Sequence, residues 1–336
     1  MPRELAGVWQ TWKPTEKEKW DVARVVHLHR RAGFGATWSE IQRDFADGPE
    51  AAVNRILRGG CRLDGVPDDF QTMANVIGEA AAASTNPGRL KAWWIYRMLF
   101  SPDPLTEKLT LMWHNHFATS NHKVADLPRM HIQNEILRKH ARGPFSELLK
   151  RVVQDSAMLV WLDAGSNRRG RPNENLAREL MELFTLGIGN YGERDVKESA
   201  RALTGWSIRG EHFFQNVTVH DSGEKSILGR AGRWNGDDLL KILLEHPATS
   251  RRIAWRLSQL FLGETVPAAD LESLATGLRE NDLSIEWAVS TILRSRAFFA
   301  TSNLGSRVSS PVEFALAGAR SLECFEPPVS TLTLAE

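Results

Sequence analysis

Apolar residues in this chain recur chiefly three and four positions apart, the spacing of an α-helix. Leu105, Leu109, Met112 and His116 show the pattern: at about 100° per residue they share one face of a helix that starts near residue 105. The same period predicts helices over 20–31, 38–46, 49–58, 70–83 and 90–100, the last apolar nearly all round and so expected to be buried. Further helices are predicted over 127–141, 145–154, 173–186 and 195–206, then over 236–245, 250–262, 268–280 and 284–298. Punctuation supports these bounds. Gly33-Phe34-Gly35 and Gly263 read as stops, Asn86-Pro87-Gly88 as a break, and Thr37, Ser250 and Ser284 as N-caps. Strand character surfaces once, where Val217 and Val219 precede Asp221-Ser222-Gly223 and predict a single hairpin across 212–228. Residues 1–19 are Trp-rich without a period and read as an arm. No repeat or linker divides 20–336. The expected fold is all-α, one multi-helix domain with a small inserted β-hairpin.

Composition narrows the function more than the fold. The chain has 336 residues, enough for a large core, with 42 basic and 41 acidic side chains and a net charge of +1. That balance offers no electrostatic footprint for nucleic acid or an anionic membrane. The apolar stretch 92–100 is too short to span a bilayer, and the N-terminus shows no apolar signal region, so the chain as written is expected to be cytoplasmic. Twelve tryptophans against two tyrosines suggest large rings at helix contacts, with indole N–H groups that need partners. Cys61 and Cys324 lack metal-ligand spacing, and a disulfide between them cannot be argued from sequence.

Candidate chemistry concentrates in Pro172–Gly187, P-N-E-N-L-A-R-E-L-M-E-L-F-T-L-G. Asn173 can cap this helix. In α-geometry Asn175, Arg178, Glu179 and Glu182 fall within one arc of roughly 100°. The functional reading is a pocket wall, with carboxylates for acid-base work or metal ligation and Arg178 as an anion or carboxylate clamp. The structural alternative is a solvated face laced by i, i+3 and i+4 ion pairs. The second run is W-H-N-H-F-A-T-S, residues 113–120. On a helix His114 and His116 point about 200° apart and cannot share a metal; if the helix unwinds after Trp113 they can converge. His116, on the apolar face, reads as a general base, a ligand or a core histidine with a hydrogen-bond partner. His220-Asp221 with Lys225 reads as a polar rim or as a plain turn, and Arg201 and Thr204 in R-A-L-T-G-W as pocket residues or as tight packing. In R-R-A-G-F-G, Arg30 or Arg31 could bind an anion, or could complement a helix C-terminus. P-loop, H-E-x-x-H, nucleophile-elbow, dinucleotide and Cys-zinc patterns are absent.

Five runs, read in order, carry a resemblance: H-L-H-R-R-A-G-F-G (27–35), E-K-L-T-L-M-W-H-N-H-F-A-T-S (107–120), the 172–187 run, D-V-K-E-S-A-R-A-L-T-G-W (195–206) and H-D-S-G-E-K (220–225). Together they resemble the bacterial family known as domain of unknown function 1800, and the Trp-rich arm is similar to its planctomycete branch. The resemblance implies a helical fold from about residue 20 to 320 and names no reaction. It also implies frequent export and a neighbouring sulfatase-like or alkaline-phosphatase-like partner. Similar proteins continue past the position of Glu336 into a Pro-Pro and Gly-Trp-rich segment, so the chain reads as a short or truncated member.

Two hypotheses follow. In the first, Glu179, Glu182, His116, His220 and Asp221 are catalytic, and Asn175, Arg178, Arg201 and Lys225 hold a polar, saccharide or sulfated substrate. A divalent metal would draw its ligands from His114, His116, Glu179 and Glu182. In the second, the chain is a non-catalytic scaffold or partner of the sulfatase-like enzyme, and the polar runs form a buried network. On either hypothesis the polar arc of the 173–186 helix is expected to be buried against the other runs.

Overall fold

The computed structural model describes residues 7–61, 69–263 and 266–323, and helices dominate them. Their bounds follow the local chemistry of the ends. Asp21 accepts from the Arg24 amide to start Val22–Ala32, which stops at Gly33. Thr37 and Glu40 close a reciprocal capping box on Trp38–Asp47. Gly263, at φ 82°, ends Pro247–Leu262. That helix starts before the expected Ser250 cap, because Pro247 fills the first turn and the His246 ring accepts from the Ala248 amide. Ser284 caps Ile285–Arg294 as expected, and Ser295 then caps a separate Arg296–Phe299 turn. Pro311–Ser321 is a helix that the periodicity does not predict, although its Ser310–Glu313 capping box is readable as S-P-V-E. Cys61 is a buried free thiol, and Cys324 lies outside the described residues.

Pro104–Phe117 is the central helix. Leu105, Leu109 and Trp113 on it are wholly buried, and it packs against Pro87–Phe100 and Leu127–His140. One continuous hydrophobic cluster runs from Trp9 to Phe299. The described part of the arm is docked on it: the Trp12 amide donates to Arg294 O at 2.8 Å and the Trp9 indole to Asp270 O at 2.9 Å. Tryptophans stand at helix contacts as expected, with the Trp93 indole donating to Ala74 O and Trp113 to Ala141 O. Pro87–Phe100 departs from expectation. It buries Trp93, Arg97, Met98 and Leu99 but leaves Trp94, Ile95 and Tyr96 half-buried on its other side.

Buried charge ties the helices together. Glu107 accepts from Arg97 Nε at 3.1 Å and from Arg138 Nε at 2.7 Å, all three side chains being buried. Arg320 grips Glu40 through two bonds of 3.0 and 2.8 Å. Lys108 pairs with Glu313. Burial pulls the Lys108 ammonium down to about 8. For Glu313 burial pushes upward, but Lys108 and Arg307 outweigh it and hold the carboxyl at about 2. Burial opposes the charged form of both groups, and their mutual attraction, with Arg307, keeps the pair ionised at neutral pH.

Two segments differ from expectation in a way that bears on function. The 173–186 region is α-helical only over Asn175–Glu179, and Leu180–Thr185 winds as a π-helix. The Leu186 amide reaches back five residues to Met181 O at 2.9 Å, and Thr185 Oγ1 donates to Leu180 O. Residues after Glu179 are therefore rotated from their α-helical projection. The strand region is two short antiparallel hairpins, Trp206–Arg209 with His212–Gln215 and Lys225–Ile227 with Arg230–Gly232. Their turns are at Gly210-Glu211 and Leu228-Gly229, while Val217–Val219 forms a 3-10 turn between them.

Candidate functional site

The sequence-predicted candidates occupy three separate surroundings. The first is the π-helix and the core beneath it. His116 is buried among Trp113, Phe117, Phe145 and Phe184, and its Nε2 lies 3.1 Å from Phe184 O. Burial, with Arg256 nearby, drops its imidazole to about 3. It is the core histidine of the three readings. Glu182 accepts from the Tyr191 hydroxyl at 2.8 Å. Burial and then the neighbouring Glu182 raise the Glu179 carboxyl. Arg178 is spent on Glu174 and Glu193, at 3.1 and 2.9 Å, and Asn175 is exposed. The polar arc expected to be buried is thus half in water. The apolar side, Leu176, Ala177, Leu180, Met181 and Phe184, is what faces the core.

The second surrounding joins Glu193–Ala202 to the segment between the hairpins. Arg201 bridges Glu198 and Asp221, both at 2.8 Å. That bond pulls the Asp221 carboxyl down. Lys225 is buried and donates to the carbonyls of Asp221 and Gly223. His220 Nδ1 lies 2.9 Å from Thr204 O. These contacts are local, and they match the tight-packing reading of R-A-L-T-G-W. No hydrogen bond joins His220 or Asp221 to His116, Glu179 or Glu182 among the described residues. Nor do the four metal candidates assemble: no group of three His, Cys, Asp or Glu that could hold an ion exists among the described residues. Pro104–Phe117 stays helical through both histidines, so they diverge.

The third surrounding is a cleft of about 440 Å³, within the range of small-molecule sites. Trp93 and Trp94 come from Pro87–Phe100, and Met130 and Asn134 from Leu127–His140. His114 stands at the end of the central helix. Ala118 then turns through φ 48°, and Ser120 caps the next short helix, Asn121–Val124. This stop carries Thr119, Ser120, Asn121 and His122 into the cleft wall. Trp94 and His114 meet edge to face at 5.1 Å. Trp94 Nε1 is buried without a hydrogen-bond partner among the described residues. Burial lowers the His114 pKa, so the ring is neutral and can donate or accept. Of the sequence-predicted residues only His114 lines this cleft. Trp94, Asn134 and His122 were not singled out. The Trp93-Trp94 pair carried the signal, because two adjacent rings on a helix cannot both enter one core.

Comparison with protein-family models matches residues 27–335 to the model described as "Protein of unknown function (DUF1800)". The chain belongs to the DUF1800 family. No curated protein and no solved structure matches it. The DUF1800 membership agrees with the resemblance carried by the five runs, and it brings no reaction with it. In this DUF1800 chain the W-H-N-H-F-A-T-S run divides its work: His116 fills the core, while His114 and Thr119-Ser120 build the cleft. No described helix is long and apolar enough to cross a membrane.

The buried histidines make a pH prediction. His27 and His116 are both held near 3 in the fold, against 6.5 as the ordinary value. The unfolded chain therefore binds more protons as pH drops below 6.5, and stability falls with it. A urea midpoint that declines steadily from neutral pH toward that of the folded imidazoles is expected. A midpoint that stays level across this window would contradict the burial of these rings as neutral groups.

Proposed function

We propose that this protein binds a small polar ring compound of the saccharide class in the Trp94–His114 cleft and acts as a binding protein rather than a hydrolase. The observation that carries the reading is the pairing of the Trp94 ring with an unpartnered indole N–H and a neutral, half-buried imidazole. A sugar offers a C–H face for an aromatic wall and hydroxyls for such polar groups, with Asn134 and Ser120 beside them. Glycoside hydrolysis ordinarily needs two carboxyl groups flanking the bond, and no Asp or Glu is among the described residues lining the cleft. Sulfated sugars remain within the class, since Lys91 lies at the rim.

The test is calorimetric titration of the full chain with a panel of neutral and sulfated mono- and oligosaccharides. At least one is expected to bind, and Trp94→Ala is expected to weaken it roughly tenfold or more, the scale of one lost aromatic anchor. A panel in which nothing binds more tightly than roughly millimolar sinks the reading. The second reading, a non-catalytic partner of a sulfatase-like enzyme, draws support from the use of Arg178, Arg201 and Asp221 in ion pairs. Co-purification with such an enzyme, unaffected by Trp94→Ala, favours it over the first.

A further inference from the structure

A second cavity, of about 200 Å³, lies between Val22–Ala32 and the 304–309 segment that leads into Pro311–Ser321. Its walls carry Arg30, Arg31, Arg307, His27 and Glu313. Arg31 is only 6% exposed, yet its guanidinium donates to neutral oxygens alone, Asn303 Oδ1 at 3.4 Å and Ser306 Oγ at 3.2 Å. Arg30 donates to Ser309 Oγ at 3.2 Å. Neither arginine has a carboxylate within ion-pair distance among the described residues. Glu313 acts on Arg31 through space, raising its pKa in part, but forms no direct ion pair with either arginine. It already accepts two bonds from Arg307, at 2.7 and 2.5 Å, and pairs with Lys108 on its other side. Four cations therefore surround one carboxylate, in a chain whose total charge is only +1.

The bland explanation for Arg30 and Arg31 is complementarity with the C-terminus of their own helix. The contacts argue against it: both guanidiniums reach across to the 303–309 segment instead of bonding the last carbonyls of Val22–Ala32. A buried guanidinium without a counter-charge is costly. The fold shows that cost, since burial and the neighbouring Arg307 draw Arg31 down to about 10. His27, on the same wall, is kept neutral by burial and by Arg31, and its Nε2 lies 3.4 Å from Asn303 Nδ2, so it adds no further charge to the cavity. The arrangement suits a compact anion with several acceptor oxygens, which planar guanidinium groups bind in pairs of charge-assisted bonds. The small volume suits a single such group.

We propose that this cavity binds a tetrahedral oxyanion, phosphate or sulfate, either free or as the terminal group of a small ester. The site is independent of the saccharide cleft and stands or falls separately from it. The experiment is calorimetric titration of the full chain near neutral pH, at ionic strength held constant with sodium chloride. The probes are inorganic phosphate, inorganic sulfate and methyl phosphate. Saturable one-to-one binding is expected for at least one of them. Tighter binding of methyl phosphate than of inorganic phosphate assigns the ligand as an ester, and the reverse order assigns it as the free ion. Arg31→Gln is expected to weaken binding roughly tenfold or more, the scale of a charge-assisted hydrogen bond. Arg30→Gln, at an exposed position, is expected to weaken it by a smaller factor. Failure of all three probes to bind saturably overturns the proposal, and so does binding unchanged in both variants. Should Arg31→Gln fail to fold, Arg30→Gln decides: unchanged binding there overturns the proposal.

Discussion

Glu107→Ala is expected to destabilise the fold by about 3–5 kcal/mol, the cost of breaking a buried ion pair from one side. Glu107 is 1% exposed and is the shared acceptor for Arg97 and Arg138, themselves buried. Its removal leaves two guanidiniums facing each other in the interior with only partial compensation. Arg97 would keep Gln71, and Arg138 would keep Asn134 and Glu135. The effect propagates because the three residues sit on three helices, Pro87–Phe100, Pro104–Phe117 and Leu127–His140, the same three that frame the cleft. The thermal midpoint should fall by about 4–7 °C for a chain of this size. Arg178→Ala is the comparison. Its ion pairs are about a third exposed on the arginine side, and it should cost no more than about 1 kcal/mol. Equal losses in the two variants would mean that the buried trio does not hold the helices together.

These two variants also mark how far the sequence could be read. Helix positions were legible because burial imposes a period, and caps such as Thr37 and Ser284 fixed several ends. The polar runs were legible as unusual, but their roles were not. In E-K-L-T-L-M-W-H-N-H the residue with the largest structural consequence is Glu107, which periodicity places nowhere special, because its partners come from helices ten and thirty-one residues further along or back. Glu182 shares an arc with Arg178 and Glu179 only if the segment is uniformly α-helical. The π-helix at Leu180–Thr185 broke that projection, and no propensity in L-M-E-L-F-T announces a five-residue hydrogen bond. The cleft was missed for another reason. A lining is assembled from helices distant in sequence, and only His114, Thr119 and Ser120 stood in a run already singled out. The anion cavity was half legible. Arg30 and Arg31 were read as either ligand-binding or helix-complementing, and the choice turned on Asn303, Ser306 and Glu313, nearly three hundred residues away.

Gly205→Ala is expected to be the other severe substitution, and its mechanism can be separated from simple backbone strain. Gly205 sits at φ +84°, a region costing an L-residue about 1–2 kcal/mol. A Cβ there would also lie 2.4 Å from the backbone oxygen of Asn216. That contact cannot be relieved by turning a side chain, because both partners are main chain. The Asn216 amide donates to Gly205 O at 2.7 Å, and the Gly205 amide donates to Asn167 O at 3.0 Å, so the three segments are clamped at this point. Opening the clamp displaces Thr204, whose hydroxyl accepts from the Asp221 amide at 2.7 Å, and with it the Arg201–Asp221 pair. Strain and overpacking together suggest a loss of about 2–5 kcal/mol. Gly170→Ala isolates the first contribution. Gly170 has φ +80° but nothing within 4 Å of the added carbon, so it should lose only the strain. Chemical denaturation of the two variants measures the difference. If they lose the same stability, the close approach of the two backbones is not what requires glycine at 205. If Gly205→Ala loses markedly more, this glycine is what lets the 216–225 segment lie against Glu193–Ala202, and the His220–Asp221 run is held there as architecture.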